Sequence, residues 1–247
     1  MLGLPEGVTA CLFDLDGVLT QTAKVHAEAW KSMFDEFLRG WANQHGEEFV
    51  PFDAHTDYDE YVDGKPRYEG VSSFLQSRQI ELPQGTPEDP PSAQTIDGLG
   101  NRKNELVLKL IHDHGVQPYE GSVRYVKAAR EAGLRRAVVS SSTNARDVLK
   151  AVGIYDLFEK IVDGVVADRE RLKGKPAPDT FWEGARELGV DRKAAAVFED
   201  ALAGVQAGRA GDFGFVVGVD RVGQAEALKE HGADIVVEDL AELLDDA

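Results

Sequence analysis

The sequence has a single cysteine, Cys11, so no internal disulfide can form. Its place inside an apolar run makes it a small core residue. No apolar stretch approaches the roughly 18 residues that a membrane-spanning helix needs. Positive charge is scarce: 27 Lys and Arg stand against 44 Asp and Glu, a net charge of −17. Nucleic acid and anionic membrane are therefore disfavoured as partners, because phosphate-rich surfaces recruit positive ones. An anionic small substrate stays compatible if cations are placed locally. The first ten residues lack a basic region followed by a long apolar run, so no signal peptide is expected and the cytoplasm is the expected compartment. Internal repeats are missing too. What is there, 247 residues with 43% hydrophobic and 29% charged, is globular and large enough for one big domain or two modest ones.

The most informative stretch is Cys11 to Thr20, Cys-Leu-Phe-Asp-Leu-Asp-Gly-Val-Leu-Thr. Val8 to Phe13 reads as a buried strand, and it runs directly into Asp14 and Asp16. Side chains two apart on a strand share a face, so the two carboxylates are expected side by side where the strand stops, with Gly17 making the turn. Adjacent negative charges repel unless a cation lies between them or one carboxyl keeps its proton.

Thr22 to Leu38 follows with helical spacing of Val25, Ala29, Met33, Phe34 and Phe37, and His26 and Trp30 lie four apart on one face. Asn43 to Arg67 is polar and irregular, closing on the turn Gly64-Lys65-Pro66-Arg67. Gly70 to Gln79 predicts a short helix, proline-rich Pro83 to Pro91 a loop, and Gly98 to His114 another helix. Residues 21–117 thus read as an all-helical insertion between residues 1–20 and 118–247. From Pro118 the texture is α/β. Strands are expected at Arg136–Val139, Lys160–Asp163, Ala194–Phe198, Phe213–Val219 and Asp234–Val237, alternating with helices at Ser122–Ala132, Ala145–Val152, Thr180–Leu188 and Ala201–Ala210. One more helix precedes the last strand. That alternation implies a Rossmann-like parallel sheet with helices on both faces, whose ligands bind beyond the carboxyl ends of the strands. Three strands end in polar groups there: Asp14-Leu15-Asp16, Ser140, and Glu199-Asp200.

Together with Lys175 in Gly-Lys-Pro-Ala-Pro-Asp, these segments resemble, in order, the four motifs of the haloacid dehalogenase-like (HAD) superfamily. The resemblance implies Mg²⁺-dependent phosphoryl transfer. Asp14 would be the nucleophile, already ionised at neutral pH, and would carry an aspartyl-phosphate. Asp16 would be the acid–base group, offering the metal only its backbone carbonyl. Ser140 would hold phosphoryl oxygens, and Lys175 would offset charge. Asp200 would complete the metal site with Asp14. Glu199 ranks behind Asp200 as a metal partner, with orienting Lys175 or a metal-bound water as its other role.

The helical insertion is similar to a subclass I cap, and the closest group within the superfamily is the β-phosphoglucomutases. Thr-Gln-Thr-Ala-x-x-His-x-x-Ala-Trp-Lys at 20–31, Arg102-Lys103-Asn104, Ser-Ser-Ser-Thr-Asn at 140–144 and Lys-Pro-Ala-Pro-Asp at 175–179 carry that likeness. It implies a phosphorylated sugar as substrate, a sugar bisphosphate as intermediate, and substrate contacts from His26, Trp30, Arg67, Lys103, Asn104, Ser141, Ser142 and Asn144. Gln21, Ser73 and Thr143 depart from the group, which has an aspartate, an arginine and a basic residue there. Two other readings stand beside the mutase: a sugar-phosphate phosphatase, with water as acceptor, and a non-catalytic phosphorylation switch. A dehalogenase needs neither Mg²⁺ nor the second aspartate. The expected state is a monomer without nucleic acid or membrane partners.

Overall fold

A computed structural model describes residues 2–244. The chain divides into two compact units: residues 1–21, 64–66 and 116–247 form one, and residues 22–63 and 67–115 the other.

The first unit is built on six parallel strands: β1 (Ala10–Phe13), β2 (Arg135–Val139), β3 (Lys160–Val162), β4 (Ala195–Glu199), β5 (Phe215–Val219) and β6 (Ile235–Val237). Their order is β3-β2-β1-β4-β5-β6, so the direction of winding reverses beside β1. Such a reversal leaves a crevice at the carboxyl ends of the strands. The central strands are short, and their interior stretches Ala10–Phe13, Ala137–Val139 and Ala195–Phe198 are apolar because helices cover both faces. One face carries Leu12, Ala137, Val139 and Val197, buried with Phe181, Ala185 and Leu188 of α7 (Asp179–Leu188). On the other, Phe13 stacks on Phe198 at 4.5 Å and meets the edge of Tyr125 at 6.2 Å, the latter from α4 (Glu120–Glu131).

Register fixes the site. Phe13 lies opposite Val138 on one side and Phe198 on the other. One residue further on, Asp14, Val139 and Glu199 share a row across three adjacent strands. The alternation that starts at Leu12 turns this row toward α7. Gln21 donates its N–H to the Gln117 carbonyl, so the chain leaves and re-enters this unit side by side.

The second unit holds α1 (Ala23–His45), α2 (Arg67–Ser77) and α3 (Ile96–His114). The first helix is longer than its periodicity to Leu38 predicts. Buried Ala42 continues the apolar stripe, and the helix stops only at Gly46, whose left-handed backbone (φ 70°) donates back to the Ala42 carbonyl. A π-helical turn at Tyr58–Val62 lies in the stretch read as irregular. A further difference is α6 (Gly164–Glu170) in the first unit, a helix the sequence pattern does not predict; the Asp163 carboxylate caps it by accepting the Val166 N–H. The two other helices bounding the sheet are α5 (Ala145–Ala151) and α8 (Leu202–Ala210), and α9 (Ala225–Glu230) precedes β6. No described helix is long and apolar enough to cross a membrane.

Aromatic rings hold the helical unit together. Phe34 stacks on Trp30 at 5.2 Å and on Phe52 at 5.1 Å, and meets Phe74 at 4.2 Å. All four are almost fully buried. Truncating a ring at the centre loses its burial and leaves a cavity, so Phe34→Ala is expected to destabilise the protein by about 3–5 kcal/mol in urea unfolding. A loss under ~1 kcal/mol would mean that this cluster does not organise the unit.

Candidate active site

Lys175 reaches the row from the loop before α7. It is 1% exposed. Its ammonium donates to Asp14 Oδ1 at 2.5 Å and to the Val139 carbonyl at 3.2 Å, and forms an ion pair with Glu199 Oε1. The ring of Phe181 lies 5.1 Å from Nζ. One buried ammonium thus bridges the ends of β1, β2 and β4. Glu199 Oε1 has no partner of ideal hydrogen-bond geometry; its contact with Lys175 is an ion pair. The other oxygen, Oε2, accepts the Ala201 N–H at 3.2 Å. Gly204 is needed beneath it, since a Cβ there would come within 1.9 Å of Oε1.

Asp14, Glu199 and Asp200 are all buried, and each offers an oxygen within 4.8 Å of the others. Three carboxylates against one ammonium leave excess negative charge. Burial pushes the Asp14 carboxyl well above its ordinary range; Lys175 opposes this, while Glu199 and Asp16 add to it. Burial alone would lower Lys175, but Asp14 and Glu199 outweigh it and hold the ammonium above its ordinary value. An all-oxygen donor set with surplus charge suits a hard divalent cation. Such a cation would oppose the burial that favours the neutral form of the Asp14 carboxyl.

The strand ends at Phe13, so the alternation expected to set Asp16 beside Asp14 does not extend to it. Asp16 enters a tight turn: it bridges to Thr20, the Gly17 N–H donates to the Thr20 carbonyl at 2.8 Å, and the Thr20 hydroxyl donates to the Leu15 carbonyl at 3.1 Å. The Asp16 carboxylate is not one of the three clustered oxygens. Its charge is still close enough to raise Asp14. Gly17 is required by contact as well as by its φ of +85°, because a Cβ would collide with the Asp200 carboxylate at 1.7 Å.

Ser140 is 2% exposed at the end of β2, and its hydroxyl accepts the Ser142 N–H at 3.1 Å. The Ser142 hydroxyl accepts the Asn144 N–H, and Asn144 precedes α5. Ser141 donates to the Gly64 carbonyl at 2.7 Å, so the Gly64–Pro66 turn belongs to this unit. In the helical unit, His26, Trp30 and Lys103 come together: Lys103 Nζ lies 2.8 Å from His26 Nδ1 and 4.7 Å from the Trp30 ring centre. Lys103 is only 5% exposed. Asn104 follows it on α3 and is half-buried. Arg67 instead lies on Tyr68, whose hydroxyl accepts from Arg67 and donates to Asn101.

Two residues near the cluster were not singled out from the sequence. Arg221 Nε donates to the Gly17 carbonyl at 2.8 Å, and Gln224 Nε2 to the Asp200 carbonyl at 3.1 Å. Both follow β5, at the same sheet edge as the motifs, and that position was the available signal.

Residues 8–212 match the haloacid dehalogenase-like hydrolase family. A β-phosphoglucomutase of Mycobacterium tuberculosis (strain CDC 1551 / Oshkosh) is 58% identical over 247 residues, covering 99% of this chain and 94% of that protein. The β-phosphoglucomutase of Bacillus subtilis (strain 168) is 31% identical, covering 95% and 91%. Among solved structures, a β-phosphoglucomutase from Clostridium difficile aligns with a TM-score of 0.74 at 27% identity, covering 96% of this chain and 94% of the other.

A pKa raised on folding stabilises the folded chain below the ordinary carboxylate range, and that contribution is lost as pH rises through the folded value. A cation bound at Asp14 removes the loss. The rise in melting temperature on adding a divalent cation should therefore grow between about pH 5 and about pH 8, and Asp200→Asn should largely abolish it. Equal shifts at both pH values, or a shift that survives Asp200→Asn, would contradict a site built on Asp14 and Asp200.

Proposed function

The chain belongs to the haloacid dehalogenase-like hydrolase family, and we propose that it is a Mg²⁺-dependent phosphomutase catalysing the β-phosphoglucomutase reaction, β-glucose 1-phosphate to glucose 6-phosphate. The observation that carries the chemistry is the Lys175 ammonium shared by Asp14 and Glu199 beside the Asp200 carboxylate. Support for the substrate comes from the 58% identity to the mycobacterial β-phosphoglucomutase, which extends over 99% of this chain.

Asp14, Asp200 and the Asp16 carbonyl would hold Mg²⁺, which supplies charge neutralisation to the phosphoryl oxygens when bound. Asp14 Oδ attacks phosphorus as the bond to the sugar oxygen breaks. Asp16 gives that oxygen a proton. The aspartyl-phosphate passes its phosphoryl group to the 6-hydroxyl of a bound β-glucose 1-phosphate, whose proton goes to Asp16, giving the 1,6-bisphosphate and free Asp14, which then takes the 1-phosphoryl group and leaves glucose 6-phosphate. Ser140 and the N–H groups after it hold phosphoryl oxygens, and Lys175 balances the charge that gathers on Asp14. Glu199 keeps Lys175 in place. Ser141, Ser142 and Asn144 in the sheet unit, and His26, Trp30, Arg67, Lys103 and Asn104 in the helical unit, are the proposed contacts to the phosphorylated sugar and its bisphosphate intermediate. A monomer acting in the cytoplasm completes the reading.

Incubation with β-glucose 1-phosphate should yield glucose 6-phosphate, accelerated by the 1,6-bisphosphate, and Asp14→Asn should lower the rate by about a thousandfold. Free phosphate without isomer would instead make the enzyme a sugar-phosphate phosphatase. Turnover that survives Asp14→Asn would overturn the nucleophile.

A further inference from the structure

The turn after β5, Asp220 to Gln224, has no place in the chemistry above, yet it grips both loops that form the acidic cluster. Asp220 shapes it: one oxygen, Oδ1, accepts the N–H groups of Val222, Gly223 and Gln224 at 3.2, 2.7 and 2.9 Å. Two side chains then project from a rigid frame. Gln224 Nε2 donates to the Asp200 carbonyl, and Arg221 Nε donates to the Gly17 carbonyl.

Arg221 is itself held on several sides. Its guanidinium carbon lies 3.6 Å above the centre of the Tyr119 ring. Nη1 donates to the Glu238 carbonyl at 2.5 Å and sits 3.6 Å from Asp239 Oδ2. The Tyr119 backbone donates to the Leu19 carbonyl at 2.9 Å, so the platform under the guanidinium is tied to the same motif turn. Gly17 is thus fixed at its N–H by Thr20 and at its carbonyl by Arg221. That carbonyl ends the residue directly after Asp16, and Gly17 itself lies against the Asp200 carboxylate.

We infer that Arg221 is a positioning residue for acid–base catalysis: it locks the Gly17 carbonyl and so holds Asp16 where it delivers a proton to the leaving oxygen. The inference rests on the reading of Asp14 as nucleophile and Asp16 as acid. Arginine suits the task because a planar fork can stack on Tyr119 while Nε and Nη1 donate in fixed directions; a lysine carries the charge without the fork. Gln224 does for the Asp200 loop what Arg221 does for the Asp16 loop.

The test separates a step that needs the acid from one that does not. Acetyl phosphate expels acetate, a carboxylate with a pKa near the ordinary value of about 4, so phosphorylation of Asp14 by it needs no proton from Asp16. A sugar hydroxylate is far more basic and needs one. Arg221→Met and Arg221→Lys, in the full-length Mg²⁺-loaded protein, are compared with wild type in mutase turnover and in the rate of phosphoenzyme formation from acetyl phosphate. The expected result for Arg221→Met is a fall in kcat of about 30-fold with KM within about threefold, while phosphoenzyme formation falls by no more than about threefold. Arg221→Lys should fall between Arg221→Met and wild type, which keeps the test open if the methionine variant does not fold. An unchanged kcat, or equal losses in both reactions, overturns the inference. Failure of wild type to become phosphorylated by acetyl phosphate counts instead against the nucleophile reading, so the two failures are distinguishable.

Discussion

One buried ammonium organises the sheet unit. Lys175 sits between Asp14 and Glu199 with the Val139 carbonyl as a third partner, at the ends of three neighbouring strands. A lysine so deeply buried is tolerable only when its charge is matched, and here the match is exceeded. Glu199 satisfies Lys175 structurally, held in turn by the Ala201 N–H and by the space over Gly204. Asp14 shares the same ammonium, and the surplus negative charge it holds with Asp200 suits a divalent cation.

The rest of the unit serves to bring these groups together. In-register parallel pairing of β1 with β2 and β4 sets Asp14, Val139 and Glu199 in one row. The winding reversal at β1 puts that row at the sheet edge where parallel sheets take their ligands. Helix α7 packs on the same face through Phe181, Ala185 and Leu188, and so delivers Lys175 from the loop before it. Phe13 and Phe198, pointing the other way, anchor the row from behind. The helical unit has its own economy of rings and one buried cation, Lys103, cushioned on Trp30 and His26.

Much of this was readable from residues alone because the signals are local. Apolar runs ending in Asp14, Ser140 and Glu199 locate three strand ends, and alternation with helices implies the parallel sheet in which they meet at one edge. What was not readable depends on register and on turns. The pairing of Phe13 with Phe198 is a contact across 185 residues, and only that register decides that Lys175 takes both Asp14 and Glu199. The expected side-by-side placement of Asp14 and Asp16 rests on strand alternation, whereas β1 ends at Phe13 and Asp16 leads into a turn closed by the Gly17 and Thr20 hydrogen bonds. Arg221 escaped notice because a lone arginine after a strand carries no motif; its meaning lies in the Gly17 carbonyl 204 positions away. Helix α6 was missed because seven residues are too few for a clear periodicity.

The account stands on a cation gathered by Asp14 and Asp200 while Glu199 stays with Lys175. Anomalous scattering from a crystal soaked with Mn²⁺ tests this most directly. The account predicts one strong peak between the carboxylates of Asp14 and Asp200, with the Lys175–Glu199 ion pair intact. A peak centred on the Asp16 side chain, or no peak at the cluster, would contradict it.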